Sequence, residues 1–267
     1  MKAPFTIIMP MRSSEIPLMR RSLPSCYSLG PSEVILCLDN EAKANVEYEI
    51  SKVAFEHGCL DRTRVLYVKR NYEYSFHQAW VRREGFRNAR WDRILTVDVD
   101  LKVNRNVLKT VKLVGNDDVG FSSCITLHHV GGLLGLWRAA GHRVAEKAQL
   151  APPAYSGLYS IWRPFWIDSE DDGIEKVRDP RQGTFNDALM GEDTYLCRCM
   201  AKKHRCVFLT DVGAYNMRSE CNDLSRIQFE IGRKYAKDNS SPLLVLARSL
   251  TLARFHYIHG YLHEKLS

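Results

Sequence analysis

The sequence predicts an α/β protein built on a mostly parallel sheet flanked by helices, with a helical extension at its C-terminal end. Three observations carry this expectation. Short apolar, β-rich runs alternate with longer helical stretches through the first hundred residues. Of the 267 residues 45% are hydrophobic, enough to bury a large core. Beyond residue 217 the chain reads as helix with one breaker, "NSSP".

Taken in order, "FTIIM" (Phe5 to Met9) is a β run stopped by Pro10, and "EVILCLD" (Glu33 to Asp39) is a second that ends in a carboxylate. "RVLYVK" (Arg64 to Lys69) is a third and "RILTVDVD" (Arg93 to Asp100) a fourth. Between them, "NEAKANVEYEISKVAFEHG" and "SFHQAWVRREGFRNAR" carry apolar residues at three- and four-residue spacing, with Gly58 as a helix stop. Strand, helix, strand, helix implies right-handed crossovers and parallel pairing. In the second half, "DVGFSSCITL" reads as a strand, "GGLLGLWRAAGHRVAEKAQL" as helix and "PPAYSGLYSIWRPFW" as an aromatic strand or loop. "GTFNDALMGEDTYLCRCMAKKH" becomes helical after turn signals, "RCVFLTDV" is a late strand, and one last helix runs from Leu243 towards Leu266.

Charged residues make up 26% of the chain, and the formal net charge of +7 is spread along it. An anionic small molecule or a lipid surface suits this balance; no nucleic-acid-binding motif accompanies the charge, so nucleic acid is not expected as a partner. No stretch reaches 18 unbroken apolar residues, and the apolar segment of "MKAPFTIIMPMRSSE" is short for a signal peptide, so a cytoplasmic chain is expected. The eight scattered cysteines read as small buried thiols in a reducing compartment. Cys197, Cys199, His204 and Cys206 in "CRCMAKKHRC" lack the usual zinc spacing and read as part of a packed helix and the strand after it.

In a parallel sheet ligands bind outside the carboxyl ends of the strands. Here that rim carries Pro10 to Glu15, Asp39, Lys69 with Arg70, and Asp98 with Asp100. Such a mixture of acids and bases suits a nucleotide, its phosphates and a divalent cation. Strand alternation would put Asp98 and Asp100 on one face, ~7 Å apart.

The order "FTIIMPMRSSE", "SEVILCLDN", "WDRILTVDVDLKV", "YSGLYSIWR", "GEDTYLCRCMAKKHRCVFLTD" resembles the GT-A fold glycosyltransferases, family two, over residues 5–217. The resemblance implies a catalytic domain at 1–217, with a nucleotide-binding half at 1–103 and an acceptor-binding half at 104–217, followed by a helical extension at 218–267. It implies transfer of a sugar, with inversion, from a nucleotide-diphosphate-sugar to a hydroxyl on a glycan or lipid-linked acceptor, with Mn²⁺ or Mg²⁺ as cofactor. The family's Asp-x-Asp motif falls on Asp98 and Asp100: Asp100 would touch the metal, and Asp98 the ribose or a metal-bound water. Pro10, Arg12, Asp39 and Arg70 fall on the nucleoside and phosphate side. Glu192 and Asp193 match the Glu-Asp motif that opens a helix, Asp193 as general base. Gly157 and Trp162, or Trp166, fall where the sugar subsites are lined. Asn216 stands where the family frequently has a histidine metal ligand, a departure that keeps a hard oxygen donor.

The rival readings are a sugar-1-phosphate nucleotidyltransferase and a non-catalytic carbohydrate-binding protein of the same fold. The Glu-Asp motif favours glycosyl transfer over both. The last helix, with Arg248, Arg254 and three histidines among apolar residues, is a candidate for peripheral membrane contact.

Overall fold

A computed structural model of the chain describes residues 3–39, 45–69, 77–128, 158–169, 192–217, 229, 232, 233, 235, 236, 240–251 and 255–266. Its strands are β1 (Thr6–Met11), β2 (Glu33–Asp39), β3 (Thr63–Val68), β4 (Arg93–Val97), β5 (Leu101–Lys102), β6 (Val119–His128), β7 (Leu158–Trp162) and β8 (Arg205–Asn216). They form one sheet in the order β3-β2-β1-β4-β7-β6-β8-β5. Pairing is parallel across β3, β2, β1 and β4, as expected from the alternating pattern, then antiparallel from β4 to β7 and from β7 to β6.

The parallel strands read as near-continuous apolar runs because both of their faces are covered. Ile7, Met9, Val34, Leu36, Leu38, Leu95 and Val97 face one core, completed by Met19, Leu23 and Cys26 of α1 (Ile16–Tyr27) and by Val46, Ile50 and Val53 of α2 (Asn45–Glu56). Ile8, Ile35, Cys37 and Ile94, one residue out of phase, face the other. There they meet Val81, Phe86 and Ala89 of α3 (His77–Asn88), Trp166 of α5 (Arg163–Asp168) and Leu196 and Met200 of α6 (Glu192–Ala201). A further helix of this part is α4 (Leu108–Leu113). Helix α3 lies close on the sheet, since a Cβ on Gly85 would come within 2.8 Å of the Ile8 side chain.

The stop expected at Gly58 is realised in full. Gly58 has φ of 61°, its N–H donates to the Phe55 carbonyl at 3.0 Å, and the Cys59 N–H reaches back to the Ala54 carbonyl at 2.8 Å. Both bonds satisfy carbonyls that the end of α2 would leave unpaired.

Two boundaries differ from expectation. Strand β1 continues through Pro10 to Met11, in register with Cys37 and Leu38. It keeps its other neighbour, β4, only as far as Ile8, so a residue without an N–H costs no ladder bond on that side. The single last helix is two segments, α7 (Pro242–Thr251) and α8 (His256–Leu266).

The chain divides into two compact units, Met1–Thr126 with Tyr155–Tyr215, and Leu127–Ala154 with Asn216–Ser267. In the second, Ala236, Val245, Tyr257 and Tyr261 form a small core. Gly232 and Gly260 permit a reciprocal backbone contact. A Cβ on Gly260 would stand 1.9 Å from the Phe229 carbonyl oxygen, and one on Gly232 would stand 2.0 Å from that of Tyr257.

In the first unit, Glu33 is buried at the start of β2. It accepts from Thr6 Oγ1 at 2.8 Å, Arg64 Nε at 2.8 Å and the Arg90 backbone N–H at 2.9 Å. One carboxylate thus ties the amino ends of three strands and the segment after α3 together.

Two outcomes follow. Gly260→Ala gains about 1 kcal/mol of helix propensity but drives a methyl group into a carbonyl. The clash outweighs that gain, so hydrogen exchange over 240–266 should accelerate while the sheet amides keep their protection. Glu33→Gln keeps the shape but loses the charge facing Arg64; as Arg64 is one-third exposed, we expect a loss of about 2 kcal/mol, read from urea unfolding.

Candidate active site

Because β1 to β4 run parallel, their carboxyl ends form one rim. Pro10 is buried within the end of β1, and Arg12 follows it, exposed. The Arg12 backbone N–H donates to Glu15 Oε2 at 2.8 Å and its carbonyl accepts from the Glu15 N–H at 3.0 Å, so the loop after β1 starts as a fixed turn. Asp39 is the last residue of β2, in register with Val68. Arg70 and Gly157 lie outside the described residues.

The chain does not stay extended through Asp98 and Asp100. Strand β4 ends at Val97, and the Asp98 carbonyl accepts from the Leu101 N–H at 3.0 Å, closing a four-residue turn before β5. Val97, Val99, Leu101 and Val103 all anchor in one core, while both carboxylates stay half-buried. The spacing expected of a straight strand is therefore replaced by a bend, the condition for two acids of an Asp-x-Asp motif to approach one ion. Neither acid is spent as a helix cap: Asn104 does this work for the next turn, its Oδ1 accepting from the Asn106 N–H at 2.9 Å.

Arg82 of α3 was not singled out from the sequence, yet it is central here. Its side chain is 5% exposed, that of Asp98 is 25% exposed, and Nη2 donates to Asp98 Oδ1. Burial opposes the guanidinium charge, but Asp98, then Tyr159 and Asp193, hold the pKa of Arg82 above its ordinary value. A sequence signal for it existed. Ala79, Arg82, Arg83 and Phe86 are spaced i, i+3, i+4, i+7, which puts two arginines on the stripe that packs against the sheet.

Asp193, the second residue of α6, is 7% exposed and lies within electrostatic reach of Arg82 and Tyr159. Glu192 opens the same helix. Tyr159 sits on β7 opposite Thr96 of β4 and stacks on Phe121 with centroids 5.2 Å apart. Burial pushes its hydroxyl up to about 12, opposed by Arg82 and reinforced by Asp193, so it remains a neutral donor at physiological pH. The carboxyl end of β4 thus gathers Asp98, Arg82, Tyr159 and Asp193.

Trp162 is not brought to this cluster. The antiparallel register sets Leu158 opposite Val97 and Trp162 opposite Arg93, so Trp162 stands four residues, ~13 Å, along the strand from the end that leads to Asp98. Its ring covers Gly115, where a Cβ would meet it at 2.7 Å, and the Arg93 guanidinium lies 5.0 Å from its centroid. Trp166 is buried edge-on against Phe86. Asn216 closes β8 and belongs to the second unit.

His204 is engaged elsewhere: Nδ1 pairs with Asp118 Oδ1 at 2.8 Å, Nε2 lies 3.4 Å from Asp168, and the ring stacks on Phe165. The Cys206 thiol donates to the Cys197 carbonyl at 3.5 Å.

For a divalent cation the donor chemistry fits. Asp98 and Asp100 offer hard carboxylate oxygens on a bend at the rim. Among the described residues no group of three His, Cys, Asp or Glu side chains is placed to hold a metal by itself. An ion here would draw further oxygens from water and from a ligand's phosphates, as Mg²⁺ commonly does.

No protein-family description matches the chain, and no curated protein matches it. Solved structures do. A mannosyltransferase from Pyrobaculum calidifontis, in complex with GDP-Man and Mn²⁺, matches 98% of this chain and 74% of its own, at 19% identity and a TM-score of 0.59. S. aureus TarS (1–349) matches 94% of this chain and 73% of its own, at 14% identity and 0.55. Glucosyl-3-phosphoglycerate synthase from Mycobacterium tuberculosis, with Mn²⁺, uridine-diphosphate and phosphoglyceric acid, matches 90% of this chain and 80% of its own, at 11% identity and 0.53. At such identities the likeness is one of architecture, and the chain has the GT-A fold.

Proposed function

We propose that the chain is an inverting glycosyltransferase that moves a sugar from a nucleotide-diphosphate-sugar to a hydroxyl acceptor and depends on a divalent metal. The observation that carries this reading is the bend that sets Asp98 and Asp100 half-buried at the carboxyl end of β4, with Asp98 paired to the buried Arg82. The similar proteins solved with GDP-Man, or with uridine-diphosphate, and Mn²⁺ support it.

In this reading residues 1–217 carry the reaction and 218–267 are a helical extension. Pro10, Arg12, Asp39 and Arg70 cradle the nucleoside and its phosphates. Asp100 would hold Mn²⁺ or Mg²⁺, and Asp98 the ribose or an ion-bound water. The cation would neutralise charge on the departing nucleoside diphosphate. Asp193 accepts the proton of the acceptor hydroxyl as that oxygen attacks the anomeric carbon; the carbon–oxygen bond to the diphosphate breaks on the opposite face, and configuration inverts once. Tyr159 supplies a neutral donor beside the base. Trp162 has no part in this scheme, because its ring is committed to Gly115 and Arg93.

The seven cysteines among the described residues are free thiols, which suits a reducing, cytoplasmic setting. A lipid-linked acceptor is favoured by one feature: α7 exposes Leu243, Leu246 and Leu250 by 76%, 38% and 46%, at i, i+3, i+7. That stripe suits shallow insertion into an anionic bilayer; among the described residues no helix is long and apolar enough to cross a membrane.

A thermal-shift series with nucleoside diphosphates and nucleotide-sugars, with and without Mn²⁺, tests the main reading. One nucleotide should raise the melting temperature only with metal, Asp100→Ala should abolish that shift, and Asp193→Ala should keep it while turnover falls by roughly a thousandfold or more. No response to any nucleotide sinks the proposal, and pyrophosphate release from a nucleoside triphosphate with a sugar-1-phosphate reassigns the chain to nucleotidyl transfer. For the membrane contact, the protein should float with anionic liposomes at low salt and Leu246→Asp should release it; absence of flotation removes the idea.

A further inference from the structure

We propose that Arg82 is a positioning residue: a buried guanidinium that acts as the shared counter-charge of Asp98 and Asp193 and thereby holds both carboxylates in one site.

The argument starts from the helix. α3 packs on the sheet so closely that Gly85 leaves no room for a side-chain carbon, and Arg82, one turn earlier, is drawn into the same dry layer. A charge there persists only if it is paired. One partner is Asp98, which receives an N–H from Nη2. The other is Asp193, itself nearly buried, whose charge adds to the field that keeps Arg82 protonated. Without the arginine, Asp98 would lose its bonded partner and Asp193 would stay nearly buried with one counter-charge fewer. A planar guanidinium with five donors can serve two acids from different elements at once, whereas a lysine ammonium is a single point of charge. Asp98 follows β4 and Asp193 opens α6, so this one side chain links the proposed nucleotide side of the site to the proposed base.

The consequence for turnover rests on the glycosyltransferase reading; the charge sharing does not. The test therefore has two parts on the full chain. In ligand-free melting, Arg82→Met should lower the transition by roughly 10 °C. Adding Asp193→Asn to Arg82→Met should return part of that loss, as should adding Asp98→Asn, because each removes a stranded charge. If Asp193→Asn leaves the Arg82→Met protein unchanged or weakens it further, Arg82 is not a counter-charge for Asp193 and the proposal falls. Should Arg82→Met fail to fold, Arg82→Lys with and without Asp193→Asn is judged in the same way.

In turnover, Arg82→Lys should raise donor KM through Asp98 and lower kcat through Asp193, each by about tenfold. A loss carried wholly by KM would assign Arg82 to donor binding and overturn the positioning role. Wild-type protein that transfers no sugar to any acceptor would defeat the proposed function, while the melting comparison would still decide the role of Arg82.

Discussion

A parallel sheet covered on both faces leaves charge only two places to go, the rims, and the rest of this molecule follows from that restriction. Residues 6–9, 34–38 and 94–97 are buried without exception, because each alternates between two apolar layers. Polar groups collect where the strands begin and end. At the amino rim, Glu33 has a partner for each of its oxygens and serves to hold strands together. At the carboxyl rim Asp98 and Asp100 are half-buried and sit on a bend, where solvent reaches them. Both rims hold carboxylates; what separates the structural acid from the candidate ligand is exposure, 3% for the Glu33 side chain against 25% for that of Asp98.

The carboxyl rim also sets an energetic problem. Each buried, uncompensated charge costs several kcal/mol, and the end of β4 holds two acids and a buried tyrosine. Neutralising the acids by protonation would remove the proposed base and a proposed nucleotide contact together. A guanidinium fixed by helix packing resolves the problem without titrating near neutral pH. It also limits where Asp98 can point, because one of its oxygens accepts from Arg82.

Much of this was legible in the chain. Alternating runs announced β1 to β4 and their order, and the positive φ of Gly58 matches its reading as a helix stop. Other features depended on contacts that local pattern does not contain. Nothing near Pro10 shows that β4 has left β1 by that point, so the proline read as an end. The bend at Asp98 is a single backbone hydrogen bond to Leu101, invisible to alternation, which Val97, Val99 and Leu101 satisfy equally well as a strand. Trp162 read as a sugar platform because the family resemblance sets its segment at the sugar subsites. Its true position follows from antiparallel register against Arg93, a long-range fact. Arg82 and Arg83 were readable as charges on an apolar stripe, though which acid each would meet was not.

That the same architecture is shared with proteins at 11–19% identity is what these constraints lead one to expect. Two apolar layers can be filled by many combinations of Ile, Val, Leu and Met as long as the alternation is kept, so most positions are free to drift. The rim is less permissive, since a charge there must be paired, bound or wetted, and each substitution alters what its neighbours require. The residues worth comparing across such distant relatives are therefore the few that must stay charged where water is scarce. Here they are Glu33, Arg82, Arg83 and Asp193, with the partly exposed Asp98 that Arg82 pairs. A protein that kept the fold but lost the Arg82 guanidinium would have to lose or protonate Asp98 or Asp193 as well.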